Sequence, residues 1–406
     1  MTGNPVLIVG AGLTGLACAR TLREAGRDFE VLESSPRIGG RLGSTVVSGV
    51  ACDLGFQVSM SNYGSLESLV PREIAPRHQF VPGAIVVTDH ARIRVVDPGR
   101  EPLSGIAAWW RGLAKIKDLR AALRTRRHAA RVFAGGHEPG TGSSFLQEVG
   151  FSDGFRESFL RPFFGGVMLD ETLDVPADRF LRTLHRFATG IAELPAGGMQ
   201  SLADALAEPI LSDIHLDTSV AEIASGSITL ADGRILRSEE IVVATPFDTT
   251  NRLLGGPETS RDSDWSGTTA VHFASSERVI DEAIIVLNGR PGGDVNLACS
   301  PSEVAPGIAP PGTHSVLVSL RPGPRDPSDI DPDSVRHEAG ELLGVDSSRW
   351  THLTTTHVPH ALPRPGAVPG IQPPDGVRLA GDWQADPSID NAIRIGIDTA
   401  HAIIAA

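Results

Sequence analysis

At 406 residues, with 36 basic against 49 acidic side chains and a formal charge of −13, the chain is too long for one ordinary core and too acidic to be a general nucleic-acid binder. Hydrophobic content of 41% and charged content of 21% are ordinary for a globular protein, and no stretch reaches the roughly 20 apolar residues that cross a bilayer. Cys18, Cys52 and Cys299 form no CxxC and no paired framework, and His357 and His360 are separated by Pro359, so neither a disulfide scaffold nor a metal site is expected. The first five residues lack a basic region followed by an apolar one, which predicts no signal peptide and a cytoplasmic location.

Residues 5–33 read strand, turn, helix, strand. Val6 to Val9 is a buried strand type, apolar residues from Leu13 to Leu22 recur at helical spacing, Gly26 ends that helix, and Phe29 to Leu32 is a second buried strand. This is the βαβ opening of a parallel sheet. From about 57 to 190 the rhythm is lost, with helical stretches at 104–134 and around 151–164. It returns at 195–250: a helix from Gly198 to Leu211, a strand at Ile214–Leu216, a hairpin turning at Ala231-Asp232-Gly233, and a buried strand at Ile241–Ala244. Residues 268–320 read as several strands. The Pro-rich stretches 321–333 and 359–376 read as surface connections, and the chain closes on a strand, Val377–Ala380, and a helix from about Ser388.

Gly10-Ala11-Gly12-Leu13-Thr14-Gly15 directly follows a strand and opens a helix. Gly10 permits a tight turn, Gly12 lets the backbone approach a diphosphate, and Gly15 lets helix and strand pack closely. The helix N-terminus offers N–H groups and partial positive charge to phosphates. Glu33 ends the second strand, where a carboxylate accepts hydrogen bonds from a ribose and disfavours a 2′-phosphate.

Past Glu33 runs Ser34-Ser35-Pro36-Arg37-Ile38-Gly39-Gly40-Arg41-Leu42. Here the sequence resembles the FAD superfamily of flavin amine oxidases, protoporphyrinogen oxidases and phytoene-desaturase-like proteins, in which a G-G-R element follows the ribose-binding glutamate. The resemblance implies FAD rather than NAD, with Arg41 approaching the diphosphate or flavin side. At the other end, Leu379-Ala380-Gly381-Asp382-Trp383 matches the family's strand-G-D/E element, whose carboxylate contacts the ribityl chain. Ser388 to Gly396, with Ile389 and Ala392, matches the helix whose start points at the flavin pyrimidine edge. Pro195-Ala196-Gly197-Gly198-Met199 resembles the P-x-G-G-M turn, Asp217 to Val220 the segment whose valine meets the adenine, and Ala244-Thr245-Pro246 a conserved strand end of the family. The segments 37–57 and 379–396 hold no histidine and, of the cysteines, only Cys52, and the attachment expected is non-covalent FAD.

The middle of the chain matches the family only loosely, through Asp53-Leu54-Gly55-Phe56-Gln57 and Arg161 to Gly166. Gly55, Phe56 and Gln57 are candidates for residues near the flavin ring; no catalytic residue is assigned. Amine-oxidase relatives usually keep a lysine that holds a water near flavin N5, whereas this chain has only Lys115 and Lys117, far from any flavin motif. The favoured activity is therefore hydride removal from a carbon centre of an apolar small molecule, with flavin N5 as acceptor. The alternatives are a flavin amine oxidase and a non-catalytic FAD-binding protein. Residues 109–131 depart from the acidic balance: eight arginines and lysines face only Asp118, beside an apolar stripe of Trp109, Trp110, Leu113, Ile116 and Leu123. Such a helix either packs on its own core or lies on an anionic membrane.

The predicted fold is α/β. A discontinuous Rossmann-like FAD-binding domain takes residues 1–56, 190–255 and 356–406. A substrate domain of mixed sheet and helices takes 57–189 and 256–355.

Overall fold

Val6–Val9 (β1), Leu13–Glu24 (α1) and Phe29–Leu32 (β2) form the opening βαβ unit, with β1 and β2 parallel and in register from Val6↔Phe29 to Val9↔Leu32. The computed structural model describes residues 4–96, 112–256, 264–323, 325–366 and 370–406. The chain continues through β3 (Ser44–Val47), β4 (Val50–Asp53), β5 (Ser59–Met60), α2 (Gly64–Leu69), β6 (Arg77–Gln79), β7 (Gly83–Val87) and β8 (Arg92–Val96). A helical region follows: α3 (Ile116–Phe133), α4 (Gly142–Glu148), α5 (Asp153–Phe155), a π-helical turn (Arg156–Leu160), α6 (Arg161–Met168) and α7 (Ala177–Thr189). Then come β9 (Ala192–Pro195), α8 (Gln200–Ala207), β10 (Ile214–His215), β11 (Val220–Ala224), β12 (Ser227–Leu230), β13 (Ile235–Arg237), β14 (Ile241–Val243) and α9 (Phe247–Leu253). The last third holds β15 (Trp265–Ser275), β16 (Ile285–Asn288), β17 (Val295–Cys299), α10 (Pro301–Val304), β18 (His314–Leu320), α11 (Pro332–Leu343), β19 (Thr351–Pro363), β20 (Val377–Leu379) and α12 (Ile389–Ile404).

Two large sheets organise these elements. The first is parallel, in the order β10-β2-β1-β14-β20, and draws its strands from both ends of the chain. Its central strand is apolar at every position because both faces are covered. Val6 and Ile8 point to a core shared with Leu16, Ala17 and Ile393, while Leu7 and Val9 point to one shared with Ile223, Ile228 and Leu230 of the β11–β12–β13 meander. Helix α12 lies directly on α1: a Cβ on Gly396 would stand 2.3 Å from the Thr14 carbonyl oxygen. The last helix therefore braces the first one.

The second sheet is mixed, in the order β19-β15-β18-β17-β16-β7-β8, and packs Val271, Phe273, Val316 and Val318 against Val335, Ala339, Leu342 and Leu343 of α11. The helical region has its own core, built around Phe145, Phe164, Phe180 and Leu181.

The structure corrects several boundaries. The helix predicted at 104–134 is α3, Ile116–Phe133; residues 104–111, with Trp109 and Trp110, lie outside the described residues. The stretch 359–376 is not all surface connection, because β19 continues to Pro363. Pro359 is tolerated there since the ladder jumps from Thr268↔Val358 to Ser266↔Leu362, leaving an irregularity where a proline costs no ladder bond. Residues 356–363 thus run in the mixed sheet beside β15. Pro332 and Asp333, expected in a connection, begin α11, with Asp331 as its N-cap.

Candidate functional site

Helix α1 begins just past the carboxyl end of the central strand β1, with its N-terminus uncompensated. Gly12 caps it without a side-chain bond, and no acidic residue stands in its first turn. The first intrahelical bond runs from Leu16 N–H to Gly12 O at 2.9 Å, so the Thr14 and Gly15 N–H groups find no partner among the described residues. A Cβ on Gly15 would stand 1.9 Å from Gly10 O, which is why helix and turn can lie this close only with glycine at 15. A Cβ on Gly12, in contrast, would meet nothing within 4 Å, and one on Gly40 only Gly12 Cα at 3.4 Å. The two backbones thus face the same open space.

Glu33 stands beside that space. Its carboxylate accepts N–H bonds from Ala11 at 2.7 Å and Ser35 at 2.9 Å. The segment leading to Val220 joins it, Thr218 N–H donating to Glu33 O at 2.8 Å. Ser34 sits next to this carboxylate, and Gly39 N–H donates to Ala11 O at 2.8 Å, fixing the approach of Gly40 and Leu42 to the helix start.

Arg41 connects the two ends of the chain. Its guanidinium donates to Asp382 Oδ1 at 2.5 Å and to Ala361 O at 3.0 Å, the latter within the β19 irregularity. Gln57 Nε2 donates to Arg41 O at 2.9 Å, which leaves Gln57 Oε1 a buried acceptor with no partner. Trp265 Nε1 is a buried donor in the same condition; its ring stacks between Phe247 (4.7 Å) and His360 (5.1 Å), with the Arg41 guanidinium 6.0 Å away. Two orphaned polar atoms of opposite kind beside an Arg–Asp pair, and an empty cradle over glycines, fit a large polar cofactor such as FAD. Gly381 is covered by Trp383, whose Nε1 donates to Thr245 O at 3.1 Å.

Gly55 lies against the mixed sheet: a Cβ there would stand 3.0 Å from the Thr268 methyl group. Phe56 packs edge-on to Phe80 at 6.1 Å. Just before them Asp53 is 4% exposed. It accepts from Ser44 Oγ at 2.5 Å and Met199 N–H at 2.9 Å, which ties the β3–β4 hairpin to the Gly197-Gly198-Met199 turn. Burial outweighs these bonds and raises its pKa to about 6. Buried His272, whose Nε2 bonds Asp53 O at 2.9 Å, is pushed the other way by burial, to about 4. Both groups favour their neutral forms.

At the start of α12, Ser388 Oγ accepts Asn391 N–H at 3.1 Å, and Ala392 N–H donates to Ser388 O at 2.9 Å. The N–H groups of Ile389 and Asp390 face outward from this turn without a partner among the described residues. Asp390 is engaged elsewhere: it accepts Ser65 N–H at 2.8 Å at the start of α2, and Arg186 of α7 at 3.0 Å. Helix α7 also reaches the preceding loop, through an ion pair of Arg182 with Asp386.

Over this junction runs a row of phenylalanines. Phe155, Phe159 and Phe163 follow one another at i, i+4 spacing across the π-helical turn, ring centres 5.2 and 5.9 Å apart, and Phe163 continues to Phe187 at 5.2 Å. The three are only partly buried and touch both the helical core and the core that takes in Phe56, Tyr63 and Ile389.

The structure thus gathers Gly12, Glu33, Gly40 and the 217–220 segment in one place, and Arg41, Gln57 and Asp382 in another. Reading the sequence missed Trp265, the α7 arginines and the phenylalanine row. The four-residue spacing of Phe151, Phe155, Phe159 and Phe163 was a visible signal; Trp265 and Arg179 gave none. Among the described residues no three His, Cys, Asp or Glu side chains gather as a metal site, and no helix is long and apolar enough to cross a membrane.

The flavin containing amine oxidoreductase family model matches residues 13–404. The flavin-dependent L-tryptophan oxidase RebO of Lentzea aerocolonigenes is 27% identical over 305 residues, 61% of this chain and 59% of that protein. A probable zeta-carotene desaturase of Synechococcus elongatus is 38% identical over 80 residues, 20% of this chain and 16% of its own length. The chain therefore aligns with less than two thirds of the length of either relative. An oxidoreductase structure from Methanosarcina mazei superimposes with a TM-score of 0.75 at 18% identity, covering 98% of this chain and 100% of that one, and has the same fold. With its family match running almost from end to end, the chain belongs to the flavin-containing amine oxidoreductases and is an FAD-dependent oxidoreductase.

Proposed function

We propose that this chain removes hydride from a carbon centre of an apolar small molecule. The observation that carries this reading is the row of partly exposed phenylalanines, Phe155, Phe159 and Phe163, packed against the core that also takes in Phe56 and Ile389, with Phe187 edge-on to Phe163. An apolar ligand gains from burial against such rings, and a π-helical turn beneath them is common at functional sites. The absence of any lysine beyond Lys115 and Lys117, at the solvent-facing start of α3, weighs against an amine oxidase that uses a lysine-held water.

In this reading FAD, when bound, supplies the acceptor for the substrate hydride. The open N-terminus of α1, from Gly12 through Leu13, Thr14 and Gly15, would hold the diphosphate, with Ser34, Gly40, Arg41 and Leu42 alongside it. Glu33 would take the adenosine ribose and Val220 the adenine. Asp382, oriented by Arg41 and next to Gly381, would accept ribityl hydroxyls. The unpartnered N–H groups at Ile389, in the turn shared with Ala392, would face the pyrimidine edge, and Gly55, Phe56 and Gln57 the ring. The phenylalanines exclude water from the reacting carbon. Residues 1–56, 190–255 and 364–406 form the cofactor side in this scheme, and 57–189 and 256–363 the substrate side. The outward face of α3 supports a further element, uptake of the apolar substrate at an anionic lipid surface.

An anaerobic screen reading the visible absorbance of bound flavin tests the proposal. Bleaching by partly hydrogenated polyenes or hydroaromatic compounds, and not by primary amines, polyamines or amino acids, is the expected result; bleaching by amines alone overturns it. Acid precipitation should release the flavin into the supernatant, as non-covalent attachment requires.

A further inference from the structure

Beside the Asp382 element lies a cleft of about 250 Å³, walled by the start of α7, the end of β19 and the connection from β20 to α12. Three arginines, Arg179, Arg182 and Arg364, and one carboxylate, Asp386, line it together with Trp383. Asp386 is already taken by Arg182, through two bonds. Arg364 donates Nε to Trp265 O at 3.1 Å and has no ion pair among the described residues.

Arg179 is the informative residue. It is only 8% exposed, yet its one side-chain bond is a long one, 3.3 Å from Nη1 to Pro363 O. A guanidinium carries five donors, and a buried cation that meets no anion is strongly disfavoured. The carboxylates near enough to act on it are committed elsewhere. Asp386 pairs with Arg182, Asp382 with Arg41, and Asp170 accepts from Thr172 and Asp174 N–H. In a chain of formal charge −13 this lining is net positive, and about 250 Å³ accommodates a carboxylate or phosphate group, each of which matches the planar guanidinium fork.

We propose that this cleft is an anion-binding subsite in which Arg179, supported by Arg364, holds a carboxylate or phosphate at the boundary between the cofactor and substrate sides. Two sources carry that chemistry, an acidic group on an incoming small molecule and the diphosphate of the cofactor. The inference stands whichever substrate is oxidised.

The test uses the flavin-loaded protein, titrated with benzoate and with inorganic pyrophosphate at constant ionic strength. Tryptophan fluorescence, to which Trp383 contributes, and the FAD dissociation constant are both followed. If the anion is external, wild type gives a saturable response to one probe, which weakens at least tenfold in Arg179→Met while FAD affinity is unchanged. If the anion is the cofactor's diphosphate, the loaded wild type is silent, Arg179→Met loses FAD affinity tenfold or more, and Arg179→Lys recovers part of it. That recovery separates a role for charge from a packing role. Silence toward both probes together with unchanged FAD affinity in Arg179→Met overturns the proposal. Should Arg179→Met fail to fold, Arg364→Gln, on an exposed side chain, reads the same two quantities with a smaller expected change, about threefold, and no change in either overturns the proposal.

Discussion

The opening βαβ unit and the helical region from 116 to 189 achieve close packing by opposite means. In the first, backbone meets backbone: Gly15 lies against Gly10 O, Gly396 against Thr14 O, and four parallel ladder pairs join β1 to β2. In the second, side chains do the work, with Phe164 ringed by Phe163 and Phe180 at 5.0 Å and by Phe187 at 6.2 Å. Backbone packing admits one residue type at fixed positions, and it leaves the helix end open for a ligand. Aromatic packing tolerates many sequences of similar volume and leaves a row of rings partly exposed. A single alanine at Phe164 should therefore cost stability, about 3–5 kcal/mol in thermal or denaturant unfolding, while FAD affinity of the folded protein stays near wild type. Loss of FAD under conditions where the variant is still folded would show that the two regions act as one.

The same contrast explains what could be read from the sequence. Gly10, Gly12, Gly15, Glu33 and the Gly381-Asp382 pair were legible because close backbone approach and a charged acceptor each demand a particular residue at a particular spacing. The parallel pairing of β1 with β2 followed from the same pattern. Trp265, Arg179 and the run of β15 beside β19 were not legible, since they meet the site through tertiary contacts between segments far apart in the chain. The strand at 359–363 was missed for a related reason: Pro359 looked like a breaker, and only the irregular ladder opposite Gly267 accommodates it in a strand.

Asp53, which ties the β3–β4 hairpin to the Met199 turn and to His272 of β15, gives the next largest effect. Its folded pKa, about 6, lies above the ordinary 3.8, so folding favours the neutral acid. That contribution is complete below 3.8 and is lost as pH rises through about 6. His272 runs oppositely: folding favours the neutral ring, a contribution present above 6.5 and lost as pH falls through about 4. Asp53→Asn keeps an acceptor for Met199 N–H but cannot ionise. The stability of Asp53→Asn relative to wild type should therefore climb by up to about 3 kcal/mol from pH 4 to pH 7 and then level off. A flat difference across that range would mean that the carboxylate ionises without cost, and that the junction is wetter than the closed contact with Ser44 implies.

Smaller effects are expected where a single charge is removed from the cofactor side. Glu33→Gln and Asp382→Asn each keep shape and an acceptor oxygen but lose the charge, worth about 1.5–3 kcal/mol in a charged hydrogen bond, or roughly ten- to hundredfold in FAD affinity. Unfolding of the apoprotein should move little in Glu33→Gln. It should move more in Asp382→Asn, which also leaves Arg41 without its ion-pair partner. FAD content after dialysis equal to wild type in both would remove both residues from the cofactor site.

The weakest expected effect belongs to α3, a helix whose outer face also carries apolar side chains. Asp118, Ala121, Thr125, Ala129 and Val132 define the buried stripe. On the opposite side, at about 100° per residue, Ile116, Leu119 and Leu123 are 60%, 55% and 52% exposed. Arg120, Arg124 and Arg127 run beside them without an ion pair among the described residues. A helix packed only on its own core needs one apolar face; the second, flanked by cations in an acidic protein, is complementary to an anionic lipid surface. Each basic group near such a surface contributes on the order of 1 kcal/mol, decaying over roughly 20 Å at about 20 mM salt and roughly 10 Å at 0.1 M. Wild type should therefore sediment with anionic vesicles at low salt and not with neutral ones, and release as salt rises. Arg120→Gln, Arg124→Gln and Arg127→Gln combined should abolish sedimentation with FAD content intact. Wild type remaining in the supernatant at low salt would return α3 to a solvated helix.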